Sequence, residues 1–203
     1  MNYLFFDTET SGLPDWHKPS DSPHQPHLVQ MSAILMTDAA EEIEVMDFII
    51  KPDGWAWTMD DEAAKAHGIT PDYADEHGVP EKWAAEQFRE FHERAGMRVA
   101  HNEPFDARMM RIAFKRYGML EWADDVFKGA PRQCTARMST KLCNLPPSEK
   151  MMAAGRKTPK QPTLMEAHET LLGEKFADAH DGLADTRACA RVFFECVARG
   201  VTP

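Results

Sequence analysis

The order of apolar runs and helical periods predicts an α/β domain, a central mixed β-sheet flanked by helices. Three observations lead there. Residues 3–6 form a wholly apolar run, as expected of a central strand covered on both faces. Residues 28–36 and 43–50 read as two further strands joined by the polar turn 38–42. Most of the remaining chain places apolar residues at helical spacing, with one more short apolar run at 97–100.

Each element follows from local chemistry. Residues 15–27 are rich in Pro, Ser, Asp and His and form a loop. Pro52-Asp53-Gly54 closes the strand pair, and residues 60–67 form a short helix that Gly68 terminates. Over 80–95, Trp83, Ala84, Phe88 and Phe91 recur at helical spacing before Gly96. A strand at 97–100 precedes a helix over 105–117 that ends at Gly118. Residues 134–142 are helical. Residues 144–162 contain Pro146, Pro147, Pro159 and Pro162 and form a long loop, a length usually tied to function or disorder. Helices over 163–172 and 183–199 close the chain. No repeat or linker divides it, so residues 1–203 are expected to form one domain.

The 203 residues are 43% hydrophobic and carry a net charge of −10. That field argues against a polyanionic substrate unless the charge is uneven. It is uneven: residues 128–160 sum to +7, leaving −17 for the rest. An acidic body with one basic segment is compatible with a local grip on nucleic acid, above all if metal ions neutralise part of the acid. The four cysteines show no Cys-x-x-Cys spacing, which argues against a zinc site or a redox motif. Cys189 and Cys196, seven apart, read as small core residues. The N-terminus lacks a secretory signal and no apolar run has membrane-spanning length. A reducing cytoplasmic location without membrane contact is expected.

The acids carry the chemistry. Asp7 and Glu9 are two apart, so on an extended strand they point to the same side. A solvated strand end is the bland account. Two like charges leaving a buried strand would otherwise raise a carboxyl pKa unless a cation lay between them. Asp106 is in phase with Met109, Met110, Ala113 and Tyr117, and Asp185 with Cys189, Val192, Phe193 and Cys196. Each aspartate therefore sits in the first turn of its helix, on the apolar stripe. Helix capping would explain one of them; it does not explain why both face inward. Buried carboxylates are normally paired or bound to metal. His180 precedes Asp185 by five residues, about 140° of helical rotation, which places it on the preceding loop rather than on a shared helical face.

Phe6-Asp7-Thr-Glu9-Thr-Ser-Gly12-Leu13, His101-Asn102-Glu-Pro-Phe105-Asp106 and His180-Asp-Gly-Leu-Ala-Asp185 resemble the three motifs of the DEDDh exonuclease family. That family includes the proofreading subunit of bacterial DNA polymerase III. His67-Gly68-Ile69-Thr70 is similar to a further recurring segment, and the likeness runs in order from residue 3 to 199.

The resemblance implies an RNase H-like fold and a metal-dependent 3′→5′ exonuclease that releases nucleoside 5′-monophosphates from single-stranded or frayed DNA ends. It implies that Asp7, Glu9 and Asp185 hold one Mg²⁺ or Mn²⁺ ion. Asp7 would bridge to a second ion about 3.5–4 Å away, which Asp106 supports. It makes His180 the general base, with an ordinary pKa of about 6.5. Thr10 would meet the sugar of the terminal nucleotide and Leu13 would wedge between the last bases. His101 would touch substrate and Asn102 would brace the loop. Gly182 stands where relatives more often carry alanine, which is expected to loosen the turn after His180.

Two other readings compete. One keeps the chemistry on RNA, as in RNase T or oligoribonuclease. The other is a non-catalytic nucleic-acid-binding or polymerase-accessory protein. The chain has no extended C-terminal tail of the sort that tethers proofreading subunits, so stable polymerase association is not expected. The Lys150 to Lys160 loop is the candidate for backbone contacts, with Arg108 as a second candidate on an otherwise solvated face that includes Arg111, Lys115 and Arg116. Trp55 and Trp57 cover the sheet edge or stack on bases. His24 and His27 are set aside as metal ligands.

Overall fold

The computed structural model describes all residues except 57, 58, 60 and 177–180. Among these residues, six strands form one sheet in the order β4-β3-β2-β1-β5-β6. They are β1 (Asn2–Thr10), β2 (Leu28–Thr37), β3 (Glu42–Lys51), β4 (Val79–Pro80), β5 (Met97–Ala100) and β6 (Arg132–Cys134). β1, β2 and β3 form an antiparallel meander, whereas β5 and β6 continue the sheet parallel to β1. The mixed α/β architecture is the expected one. β1 is longer than its apolar run because pairing with β2 continues through Glu9 and Thr10.

Among the described residues, eight α-helices accompany the sheet: α1 (Asp61–His67), α2 (Pro71–His77), α3 (Glu81–Glu93), α4 (Glu103–Arg116), α5 (Thr135–Cys143), α6 (Glu149–Ala153), α7 (Leu164–Leu172) and α8 (Gly182–Ala198). The pleat divides the core between two layers. Leu4 and Phe6 of β1 pack with Phe88 of α3 and Met109, Met110 and Phe114 of α4. Tyr3 and Phe5 pack on the other face with Val192, Phe193 and Cys196 of α8 and Leu171 of α7.

Several elements escape the pattern reading. α2 is a single polar-faced segment whose start depends on Pro71 and on the Thr70 hydroxyl, which accepts from the Tyr73 amide at 3.2 Å. β4 has two residues and β6 three, too short for any period to register. A π-helical turn (Trp122–Phe127) stands where no element was expected. The expected loop over 144–162 contains α6, capped by the Ser148 hydroxyl.

The basic side chains of α4 also depart from a solvated face. Arg116 reaches the carboxylate of Glu81 at 3.1 Å, and Lys115 that of Asp124 at 2.6 Å. Arg108 donates to the carbonyls of Asp15 and Lys18. Glu81, fully buried at the start of α3, gathers His27, the Leu28 amide, Arg116 and Tyr117. Arg116 also donates to the carbonyls of Gln25 and Pro26. The Pro-rich first loop is thereby fastened to α3 and α4 by polar contacts rather than by an apolar face.

Candidate active site

β5 pairs with β1 only at Tyr3, Leu4 and Phe5, so β1 runs on past the end of its parallel neighbour. The chain leaves β5 through Asn102 in a left-handed turn (φ 67°, ψ 43°), a conformation asparagine tolerates, and enters α4. This step brings the first turn of α4 beside the exposed flank of β1. There the Thr8 amide and hydroxyl both donate to Oδ1 of Asp106, at 3.1 and 2.9 Å.

Asp7 and Glu9 occupy the opposite face of β1, the one α8 covers, in phase with Tyr3 and Phe5. Asp185 stands in the first turn of α8. Carboxylate oxygens of Asp7, Glu9 and Asp185 lie within 4.8 Å of one another. Asp106 belongs to the same electrostatic group, since its charge and those of Glu9 and Asp185 act on Asp7. Three acids thus form a close set, and the fourth reaches the same strand from α4 through Thr8.

Burial comes first among the forces on these groups, with mutual repulsion behind it. The Asp7 carboxyl is held well above its usual range by burial, then by Asp106, Glu9 and Asp185. Burial, with Asp185 adding, pushes Glu9 up to about 7. Burial raises Asp106 to about 8 although the two Thr8 hydrogen bonds oppose it. Closely placed oxygen donors that repel one another without a cation suit hard divalent ions such as Mg²⁺ or Mn²⁺. The residues present fit such a group.

Beside Glu9 opens a cavity of about 250 Å³ lined by Thr10, Leu13, Ala63, Ala66 and Phe105 among others. Leu13 is 79% exposed, an apolar side chain held out at its mouth. The Thr10 hydroxyl donates to the Gly12 carbonyl at 2.9 Å, which shapes the turn carrying Leu13. Both ring nitrogens of His101 have protein partners, the Thr135 hydroxyl at 2.9 Å and the Pro162 carbonyl at 3.1 Å. Burial lowers its pKa. His180 lies outside the described residues.

Asp181 caps α8 by accepting from the Ala184 amide at 2.9 Å, one turn before Asp185 completes its first turn. Gly182 is fitted closely rather than loosely: a Cβ there would meet the Ser32 hydroxyl oxygen at 2.6 Å. That hydroxyl is fixed by its bond to Asp47 at 2.6 Å. The His67-Gly68-Ile69-Thr70 segment forms the turn between α1 and α2, in which His67 Nδ1 accepts from the Ile69 amide. Trp55 stacks on His27 with ring centroids 3.9 Å apart.

The exonuclease family model of RNase T type matches residues 4–193. The chain belongs to this exonuclease family. Among solved structures, E. coli exonuclease I in complex with a dA16 oligonucleotide is similar at TM-score 0.70 and 22% identity, over 98% of this chain and 41% of that chain. An ExoI/SSB-Ct complex is similar at TM-score 0.71 and 20% identity, over the same shares. A product-bound structure of exonuclease I gives TM-score 0.70 and 20% identity, over 97% of this chain and 43% of that chain. The exonuclease chain described here thus spans about two fifths of the length of the solved structures it matches. At such identity the likeness is one of fold, the RNase H-like fold of this family. No curated protein matches the chain.

Sequence reasoning missed Thr8 as the residue that orients Asp106, and missed that the expected helix α1 walls the cavity through Ala63 and Ala66. Thr8 carried a signal, a hydroxyl between two site acids. The wall did not, because Ala63 and Ala66 are small and exposed-looking in sequence.

Proposed function

We propose that this exonuclease is a two-metal 3′→5′ enzyme that shortens the 3′ ends of DNA, single-stranded or frayed, and releases nucleoside 5′-monophosphates. The observation that carries the reading is the convergence of the Asp7, Glu9 and Asp185 oxygens within 4.8 Å, with Asp106 held beside them by Thr8. Asp7, Glu9 and Asp185 would hold one Mg²⁺ or Mn²⁺ ion, and Asp7 with Asp106 would hold the second. When bound, such ions acidify an attacking water and neutralise charge on the leaving oxygen.

The chain's own groups do the rest. Thr8 keeps the Asp106 carboxylate in one orientation. The cavity beside Glu9 takes the terminal nucleoside, with Thr10 at the sugar and Leu13 between the last two bases. His180 removes the proton of the attacking water and returns it to solvent. Asn102 sets the path of the loop between β5 and α4, and His101 supports that loop from within while approaching substrate. Support for DNA comes from the oligonucleotide carried by the E. coli exonuclease I structure. The four cysteines are free thiols, and no helix among the described residues is long and apolar enough to cross a membrane. We place the protein in the reducing cytoplasm on the thiols.

A product assay on end-labelled DNA and RNA oligomers, with Mg²⁺, with Mn²⁺ and with chelator, tests the reading. Stepwise loss of single nucleotides from the 3′ end of DNA, abolished by chelator, is the expected result. Binding without any mononucleotide product in Mn²⁺ would make this an accessory protein. Consumption of RNA with DNA spared would make it an exoribonuclease.

A further inference from the structure

A second cavity, about 310 Å³, opens against α4, where Glu103, Pro104 and Ala107 line it. Its wall is basic. α4 contributes Arg108 and Arg111, β5 contributes Arg98, β6 contributes Arg132, α5 contributes Arg137, and Lys128 follows the π-helical turn. Glu103 is the one carboxylate among the described residues of the wall, and Arg98 takes it at 2.9 Å. Arg132 stands 3.9 Å from Glu103, and Arg111 is 3.5 Å from Asp124 outside the wall. The Nε–H groups of Arg108 and Arg111 are shut from solvent without a protein partner. Burial lowers the basicity of Arg98, and repulsion from Arg132 and Arg111 adds to the effect. Six cations against one carboxylate is an arrangement that an anion would relieve.

We propose that this cavity binds backbone phosphates of the strand whose 3′ end occupies the active site, a few nucleotides upstream of the scissile bond. The proposal rests on the exonuclease reading of the acids. Two segments connect the sites. Phe105 lines the cavity beside Glu9 while Pro104, its neighbour on α4, lines the basic one. Leu13 stands at the first mouth and Trp16, three residues on, at the second. Three residues span at most about 11 Å between Cα atoms. A strand at Leu13 thus has Trp16 within that reach, with the arginines of the basic wall beside Trp16.

Trp16 is exposed and lies 5.8 Å from the Arg108 guanidinium, an aromatic face on which any base can stack. Planar guanidinium forks match phosphate oxygens two at a time. On a protein of net charge −10, a strand needs such a local attraction to stay engaged. The continuity with the active-site cavity favours a strand over an acidic peptide, which would need no connection to it.

Lys128 and Arg137 are exposed and make none of the fold's ion pairs given above, so Lys128→Gln with Arg137→Gln tests the cavity without disturbing Glu103. Binding of single-stranded DNA is measured by fluorescence anisotropy in chelator over a range of salt, and KM with Mg²⁺ on strands of increasing length. Losing two phosphate contacts should weaken binding about five- to tenfold and flatten the log–log salt slope by about 1.4. The rise in KM should grow with strand length. Loss of binding in the variant supports the cavity even if neither protein releases mononucleotides, an outcome that would overturn only the exonuclease reading. Unchanged affinity, salt slope and KM would overturn the proposal. So would an aspartate-rich peptide that binds the wild type and is lost from the variant while strand affinity stays the same.

Discussion

Thr8 donates twice to the same oxygen of Asp106, from its amide at 3.1 Å and from its hydroxyl at 2.9 Å. The two residues are 98 positions apart, and their contact joins the end of β1 to the first turn of α4. A residue lying between Asp7 and Glu9 in sequence thus orients the acid that comes from the other layer. Hydrogen bonds to charged groups contribute about 1.5–3 kcal/mol. Thr8→Val keeps the shape and the amide bond but loses the hydroxyl. Turnover should fall about 10- to 100-fold, the rate equivalent of that energy. A wild-type rate in Thr8→Val would show that Asp106 needs no such orientation.

The raised carboxyls make a signed prediction about stability in the absence of metal. Glu9 and Asp106 titrate near 7 and 8 in the folded chain but near 4 when unfolded. The folded state therefore binds more protons, so metal-free stability is full below about pH 4 and declines as pH rises towards 8. The melting temperature in chelator should fall by several degrees between pH 5.5 and 8. Added Mg²⁺ should restore more at pH 8 than at pH 5.5, because only deprotonated carboxylates bind it. Asp7→Asn should melt higher than wild type in chelator at pH 8, with no turnover and a reduced response to Mg²⁺.

Glu81 has the opposite sign. Burial pushes its carboxyl up, but the His27 hydrogen bond, Arg116 and the Leu28 amide more than offset this and hold it below its ordinary value. Its contribution is present above the unfolded carboxyl pKa and is lost as pH falls through the lowered one. Glu81→Ala strands Arg116 and His27 and should cost about 3–5 kcal/mol, read from urea unfolding at pH 7. A loss under 1 kcal/mol, as for an exposed pair, would refute the role of this hub in fixing the first loop.

Gly182→Ala drives a methyl into the Ser32 hydroxyl, a contact of 2.6 Å at the start of the helix that carries Asp185. The expected cost is about 1–3 kcal/mol, with a loss of activity as Asp185 shifts. Adding Ser32→Ala removes the obstructing oxygen and should recover part of both losses. Equal stability of Gly182→Ala and wild type would show that the helix start has room to move.

How much of this was legible beforehand follows from physics. The acids were readable because a carboxylate on an apolar stripe breaks the pattern its own helix sets, as Asp106 and Asp185 do. Central elements such as β2 and α8 were readable because packing on a buried face imposes a period. β4 and β6 were not, being two and three residues long. The basic cavity was hidden for a different reason. Arg98, Arg108, Arg132 and Arg137 come from four elements, and in sequence each looks like an ordinary surface charge. The Thr8–Asp106 contact likewise exists only once β5 stops short and α4 turns over β1.

The central claim is that Asp7, Glu9, Asp106 and Asp185 share a pair of divalent ions. Anomalous diffraction from crystals grown with Mn²⁺ measures this directly. Two manganese peaks among these four carboxylates, both lost in Asp7→Asn, are predicted. Mn²⁺ peaks elsewhere, with none among the four acids at saturating concentration, would contradict the account.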